Sequence, residues 1–195
     1  MTDVGTINED GLVADRPDTI AVFSGGWIRP LDPNPDDIKI EDIAHALSNQ
    51  CRFTGHTSTF YSVAEHCVLA MSIVAEADKL DTLLHDASEA YLADLARPIK
   101  KAPGLGEVYL EAEAKLEQAI ATRFGTTFPM SAATRVADEI MLGVEIHSLM
   151  PSDFSSRFPS PPDDAPVVRC WSPRYAEEMY LEHFARLDAA RRKVA

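Results

Sequence analysis

Two neighbouring stretches, YSVAEHCVLA at 61–70 and LLHDASEAYLADLARPIK at 83–100, set ionisable residues among apolar residues at helical spacing. The pattern predicts helices over 59–77 and 80–92, the second with Leu80, Leu83, Leu84 and Ala87 as its apolar run. A short connection makes them antiparallel neighbours, so that His66, mid-helix, can face His85-Asp86, mid-helix on its successor. Imidazole with carboxylate is a ligand set for a divalent transition metal. A fourth ligand has to come from elsewhere in the chain. The predicted helix 132–149 offers Asp138, flanked by Val136, Ala137, Ile140 and Met141. An acid within an apolar stripe is costly unless paired or coordinated. Each piece alone also has a plain structural explanation: a satisfied core histidine, a chance His-Asp dipeptide, an Asp138–Arg135 pair. Glu89 follows His85 by four residues and Asp86 by three, which on a continuous helix puts it on their face as a general acid or base. Asp94 follows five residues later.

Outward from this pair the chain is helical almost throughout. AVFSGGWIRPL at 21–31 places Gly25-Gly26 between short apolar runs, the signature of a small β-hairpin. LDPNPDD at 31–37 is turn chemistry, after which Ile40, Ile43, Ala44, Leu47 and Cys51 predict a helix over 38–51, capped by Asp36 or Asp37. RFTGHTST at 52–59 reads as a loop. An amphipathic helix is expected over 108–124, with Leu110, Ala114, Leu116, Ile120 and Phe124 inward and Gly125 past its end. Ser131 caps the helix 132–149, SPPDDAP at 160–166 is a loop, and Pro173 opens a last helix to about 192. The expectation is an all-α bundle with a small N-terminal β-hairpin: one domain over 20–195, preceded by a flexible arm over 1–19.

The chain has 195 residues, enough to bury roughly 70% of its unfolded surface in one core. Its net charge of −13 argues against a nucleic-acid duplex as partner, because duplex binding needs a basic face. It does not exclude a small phosphate ligand, which needs only a few local cations. Cys51, Cys67 and Cys170 are odd in number and lack CxxC spacing, against a disulfide scaffold or a thiolate zinc site. The polar, acidic start is unlike a signal peptide, and no apolar run approaches 18 residues, so a cytoplasmic protein with no membrane partner is expected.

Taken together with RVADEIM at 135–141, the two stretches resemble the HD-domain phosphohydrolases, in particular the branch of YfbR-like 5′-deoxynucleotidases and phage deoxynucleotide triphosphohydrolases. The resemblance spans about 38–150 and implies an HD-type helical bundle. It implies one divalent ion (Mn, Co, Zn or Mg) held by His66, His85, Asp86 and Asp138. The HDxSE pattern makes Glu89 the catalytic candidate, and the second acid of the pattern falls on Asp94. In the DLxxPxK pattern Lys100 is the residue that contacts substrate phosphate. The Arg-aromatic pair ahead of the first histidine falls on Arg52-Phe53, with Phe53 where the family usually carries Trp. The implied activity is phosphate removal from a deoxynucleoside 5′-monophosphate. The alternatives are release of triphosphate from a deoxynucleoside triphosphate, hydrolysis of another phosphoester such as a cyclic nucleotide, and a non-catalytic nucleotide sensor. Homo-oligomerisation is left open. Of the other polar residues, His45 and His56 are candidates for the pocket mouth. His147 reads as structural, Arg135 as an Asp138 or Glu139 partner or a solvent residue, and Trp27 and Trp171 as core packing.

Overall fold

The computed structural model describes residues 18–193, so most of the expected arm over 1–19 lies outside the described residues. The hairpin forms as the glycine pair predicts: β1 (Ile20–Ala21) pairs antiparallel with β2 (Trp27–Ile28), in the register Ile20 to Ile28. Gly25 turns the chain with φ 80°, a region that suits glycine. Ser24 at the tip donates to the Asp42 carboxylate through its backbone amide (2.6 Å) and hydroxyl (3.0 Å), so the hairpin is pinned to the next helix.

That helix, α1 (Ile40–Asn49), is shorter than expected, and its cap differs. Lys39 precedes it without a side-chain cap, and Asp36 and Asp37 belong instead to a separate 3₁₀ turn over Pro35–Asp37, where Asn34 accepts from Asp36 N. Helix α2 (Val63–Ile73) starts where Ser62 accepts from Glu65 N. It is enclosed on nearly every side, as a helix apolar all round must be, so its polar residues Glu65 and His66 are shut away from solvent.

The expected helix over 80–92 is broken. The chain runs α3 (Lys79–Leu83), a series of turns over 84–88, then α4 (Glu89–Leu92). The cause is local. The His85 ring donates from Nδ1 to the Thr82 carbonyl (2.7 Å), the acceptor that a continuing helix would offer to Asp86 N–H, and the Asp86 amide turns to the Cys67 sulfur. Amides 87, 89, 90 and 91 then bond three residues back instead of four. His85 and Asp86 therefore sit in a turn, not mid-helix.

A short α5 (Arg97–Lys100) leads to α6 (Leu105–Phe124), which starts three residues earlier than the spacing suggests. Gly106 packs so tightly on the Lys100 carbonyl that no Cβ would fit, which locks α5 against α6. On α6 the inward face is Ala112, Leu116, Ala119, Ile120 and Phe124. Leu110 is 46% exposed and Ala114 is also exposed, contrary to expectation. Gly125 ends the helix in the left-handed conformation as expected. Ser131 caps α7 (Ala132–Leu149), a short α8 (Ser152–Ser155) follows, and Ser172 caps α9 (Pro173–Arg192).

Helix α2 lies at the centre, against α1, α3, α7 and α9. The main core gathers Ile43, Leu47, Val63, Cys67, Leu83, Leu116 and Tyr180, and a smaller cluster of Ala70, Met141 and Val144 joins α2 to α7. Tyr180 on α9 donates its hydroxyl to the Leu83 carbonyl (2.9 Å), just ahead of the His85-Asp86 turn. Among the described residues no helix is long and apolar enough to cross a membrane.

Candidate metal centre and adjoining pocket

His66 is presented by α2 at the end of its first turn and has no solvent exposure. Its Nε2 atom faces the His85-Asp86 turn and the side of α7. The separations are 3.2 Å to His85 Nε2, 3.5 Å to Asp86 Oδ2 and 3.3 Å to Asp138 Oδ1. His85 Nε2 stands 3.3 Å from Asp86 Oδ1 and 4.0 Å from Asp138 Oδ1. The four residues expected from sequence therefore converge, although the doublet is not helical.

The far sides of both rings are committed. His85 Nδ1 donates to the Thr82 carbonyl, and His66 Nδ1 donates to Glu145 Oε1 at 2.5 Å. In its neutral form each ring thus turns a lone pair at Nε2 toward the other. Two lone pairs and two carboxylates around one point require a cation, whether a proton or a metal ion. Atoms about 2.0–2.2 Å from a common cation stand about 3–3.5 Å from one another, which matches most of the separations found. The groups His66, His85, Asp138 and Cys67, His85, Asp86 could each hold a metal ion, with His85 common to both.

The electrostatics follow from this crowding. Burial and the Arg52 charge oppose protonation of His66, but Glu145 and Asp138 outweigh them and hold its pKa up at about 9 without a metal. Burial would raise the Asp86 and Asp138 pKa values, yet the imidazoles and Arg52 hold both below the ordinary carboxylate range. Glu145 is likewise held low against its burial by Arg52, His66 and the Tyr61 hydroxyl, which donates at 3.0 Å.

Arg52 reaches the centre because Arg52 N–H donates to the Tyr61 carbonyl (2.9 Å) and Val63 N–H to the Gln50 carbonyl (3.1 Å), which ties its loop to the start of α2. Within this expected loop Arg52–Gly55 forms a tight turn, with Phe53 and Thr54 in the left-handed region. The guanidinium donates from Nε to Glu145 Oε2 and from NH1 to Asp86 Oδ2, each at 3.2 Å. Burial works against its charge, but the surrounding carboxylates more than offset this and keep it protonated.

Beside the centre opens a pocket of about 510 Å³, within the range for small-molecule sites. Asp86 and Asp138 border it, and so do Arg52, Phe53, Lys100, Glu89 and Asp94, as expected. His56 also lines it, as expected. With the helix broken, Glu89 shares the site through the turn and not through helical spacing. Gln50 fixes α4 there by donating to the Glu89 carbonyl (3.0 Å). Burial, then the charges of Asp86 and Asp94, push the Glu89 pKa well above its ordinary value, and its Oε2 has no hydrogen-bond partner among the described residues. Lys100 reaches the pocket between Glu113 (2.7 Å) and Glu89 (3.5 Å), and these neighbours hold its charge despite partial burial.

The remaining candidate residues lie outside this pocket. His45 is not at the pocket mouth: it stacks on Phe23 and pairs with Glu177 (3.1 Å) in a separate cleft. His147 is structural, bonded to the Pro159 carbonyl (3.0 Å), and so anchors the proline-rich loop. Arg135 is exposed and donates to the Met130 carbonyl, while Asp138 pairs with Arg97 (3.5 Å). Trp171 packs on the core, whereas Trp27 lines a cleft with Arg29 and Asp37. Glu145, Tyr61 and Arg97 had no role in the sequence reading. Glu145 lies seven residues after Asp138, two helical turns, and that spacing was the signal available for it.

No family model matches the chain. It is 37% identical over 178 residues to the uncharacterized protein YfdR of Escherichia coli, covering 89% of this chain and 97% of that one. It is 38% identical over 141 residues to an uncharacterized protein of Rhodobacter capsulatus, covering 66% of this chain and 71% of that one.

Proposed function

We propose that this chain, which belongs to the family of Escherichia coli YfdR, is a metal-dependent phosphohydrolase of the HD-domain type. Its proposed reaction is removal of phosphate from a deoxynucleoside 5′-monophosphate. The observation that carries this reading is the convergence of His66 Nε2, His85 Nε2 and the Asp86 and Asp138 carboxylates at the edge of a pocket that also holds Arg52, Arg97 and Lys100. His66, His85, Asp86 and Asp138 would hold one divalent cation, and the residues present fit it. When bound, such an ion supplies Lewis acidity at the phosphoryl group and activates water near neutral pH.

The chain's own residues account for the rest. Arg52 offers a planar fork and Lys100 a point charge to the substrate phosphate, and both are local enough that the acidic surface beyond about 8 Å is screened. Phe53 lines the same wall and offers a ring face to the nucleoside. Glu89, its pKa raised chiefly by burial and its Oε2 without a hydrogen-bond partner among the described residues, is placed to exchange a proton with the attacking water or the leaving oxygen. Asp94 on the same wall is the second acid for that role.

A longer substrate is the second reading, and Arg97 favours it. Its side chain is 67% exposed at the pocket rim, where it extends the cationic lining outward from Asp138. A triphosphate could then lie along Lys100 and Arg97. A substrate panel decides: mono-, di- and triphosphates of the common nucleosides and deoxynucleosides with Mn, Co, Mg and Zn, products separated by chromatography. Inorganic phosphate from a deoxynucleoside monophosphate supports the first reading and intact triphosphate the second. Tight binding without turnover of any substrate would leave a sensor.

A further inference from the structure

We propose that Glu145 is a positioning residue that holds the metal ligand His66 and the pocket cation Arg52 in mutual register. This rests on the reading of the site as a metal centre. Glu145 is a carboxylate with 0% exposure, set in α7 two turns beyond Asp138, so one helix face supplies both a ligand and the group behind another ligand. A carboxylate that far from water persists only when it is paired and hydrogen-bonded. Its partners are His66 and Tyr61 at Oε1 and Arg52 at Oε2.

The consequences differ at the two oxygens. At Oε1, acceptance of the His66 Nδ1 proton fixes the tautomer that turns the Nε2 lone pair to the centre and makes that nitrogen a stronger donor to a cation. At Oε2, acceptance from Arg52 Nε fixes the guanidinium plane, and NH1 of the same group then meets Asp86 at 3.2 Å. One buried group thus sets the ligand and the phosphate fork together. An amide at this position keeps the size but loses the charge, and it cannot accept at both atoms.

The test titrates cobalt(II) into the full chain, followed by visible absorption, for the wild type, Glu145→Gln and Glu145→Asp, with far-ultraviolet circular dichroism on the same samples. The wild type is expected to bind one cobalt, and folded Glu145→Gln to bind about 10–100-fold more weakly with an altered absorption band. Wild-type affinity and absorption in folded Glu145→Gln overturn the proposal and leave the metal centre standing. A wild type that takes up no cobalt overturns the metal centre and the proposal with it. Should Glu145→Gln not fold, Glu145→Asp decides. Its charge is kept, but one methylene less cannot span His66 and Arg52, so weakened cobalt binding supports the proposal and wild-type binding overturns it. Inorganic phosphate added to the cobalt-saturated proteins reports the Arg52 half. Glu145→Gln and Arg52→Ala should weaken it alike, with no further loss in the double variant. Unchanged phosphate affinity in Glu145→Gln overturns that half.

Discussion

His66 and His85 face each other across 3.2 Å through their Nε2 atoms, while the Nδ1 of each ring is held from behind by Glu145 and the Thr82 carbonyl respectively. In the absence of a metal a proton on His66 serves as the cation between them, bonded toward Asp138. A divalent ion would take that proton's place, so occupancy and protonation compete at one atom.

This competition gives a pH dependence. His66 has a pKa of about 9 in the metal-free fold against an ordinary value of 6.5. A raised basic group contributes stability that is complete below pH 6.5 and is lost as pH rises through about 9. The melting temperature of the metal-free protein should therefore fall across that window. Metal affinity should rise across the same window, because fewer molecules must release a proton to bind. Calorimetric melts with and without added manganese at several pH values check both trends. A metal-induced shift that shrinks as pH rises contradicts the account.

Arg52→Ala should lower kcat/KM for phosphate release by one to three orders of magnitude, about 1.5–4 kcal/mol, through loss of a charge-assisted fork. Arg52→Lys should restore part of it, because an ammonium cannot meet Glu145 and Asp86 in one plane. Arg52→Ala also removes a buried partner of Glu145, so it should melt lower, with a cost of about 3–5 kcal/mol where the charge stays buried. Steady-state kinetics below the variant's melting range separate the two effects. Wild-type kcat/KM in the alanine variant rules out the phosphate role.

Glu89→Gln should retain metal and substrate affinity while kcat falls about 10²–10⁴-fold, the span of general acid–base catalysis. Its stability should move the other way. The Glu89 pKa is raised above 4.5 in the fold, chiefly by burial, so the folded state holds the proton more tightly than the unfolded one. That contribution is complete below pH 4.5 and disappears as pH rises through the folded value. The glutamine variant mimics the protonated form, so its melting temperature should gain on the wild type as pH rises above 4.5. Loss of metal would instead make Glu89 a ligand, and an unchanged kcat would transfer its role to Asp94.

The helices that bury a stripe or a whole surface were legible in the chain. Ser131 and Pro173 marked the starts of α7 and α9, and Gly125 the end of α6. The grouping of His66, His85, Asp86 and Asp138 was an expectation of the family resemblance, supported by the cost of leaving polar residues unpaired among apolar ones. The turn at 84–88 could not. LLHDASEAYL has helical spacing throughout, and what breaks it is the His85 ring taking the Thr82 carbonyl, a contact that periodicity does not encode. Leu110 misled for a related reason: α6 starts at Leu105 and packs through Ala112, Leu116 and Ala119, so a leucine at helical spacing faces outward. Glu145 passed unnoticed because a glutamate on a helix is ordinarily a solvent residue, and only the three-dimensional closeness of Arg52, Tyr61 and His66 gives it partners.

The most direct test is anomalous diffraction from crystals of the protein soaked in manganese. The account predicts one peak per chain, about 2.0–2.3 Å from His66 Nε2, His85 Nε2 and oxygens of Asp86 and Asp138, absent in His85→Ala. No peak at saturating manganese, or a peak whose coordination sphere leaves out the two histidines, would contradict it.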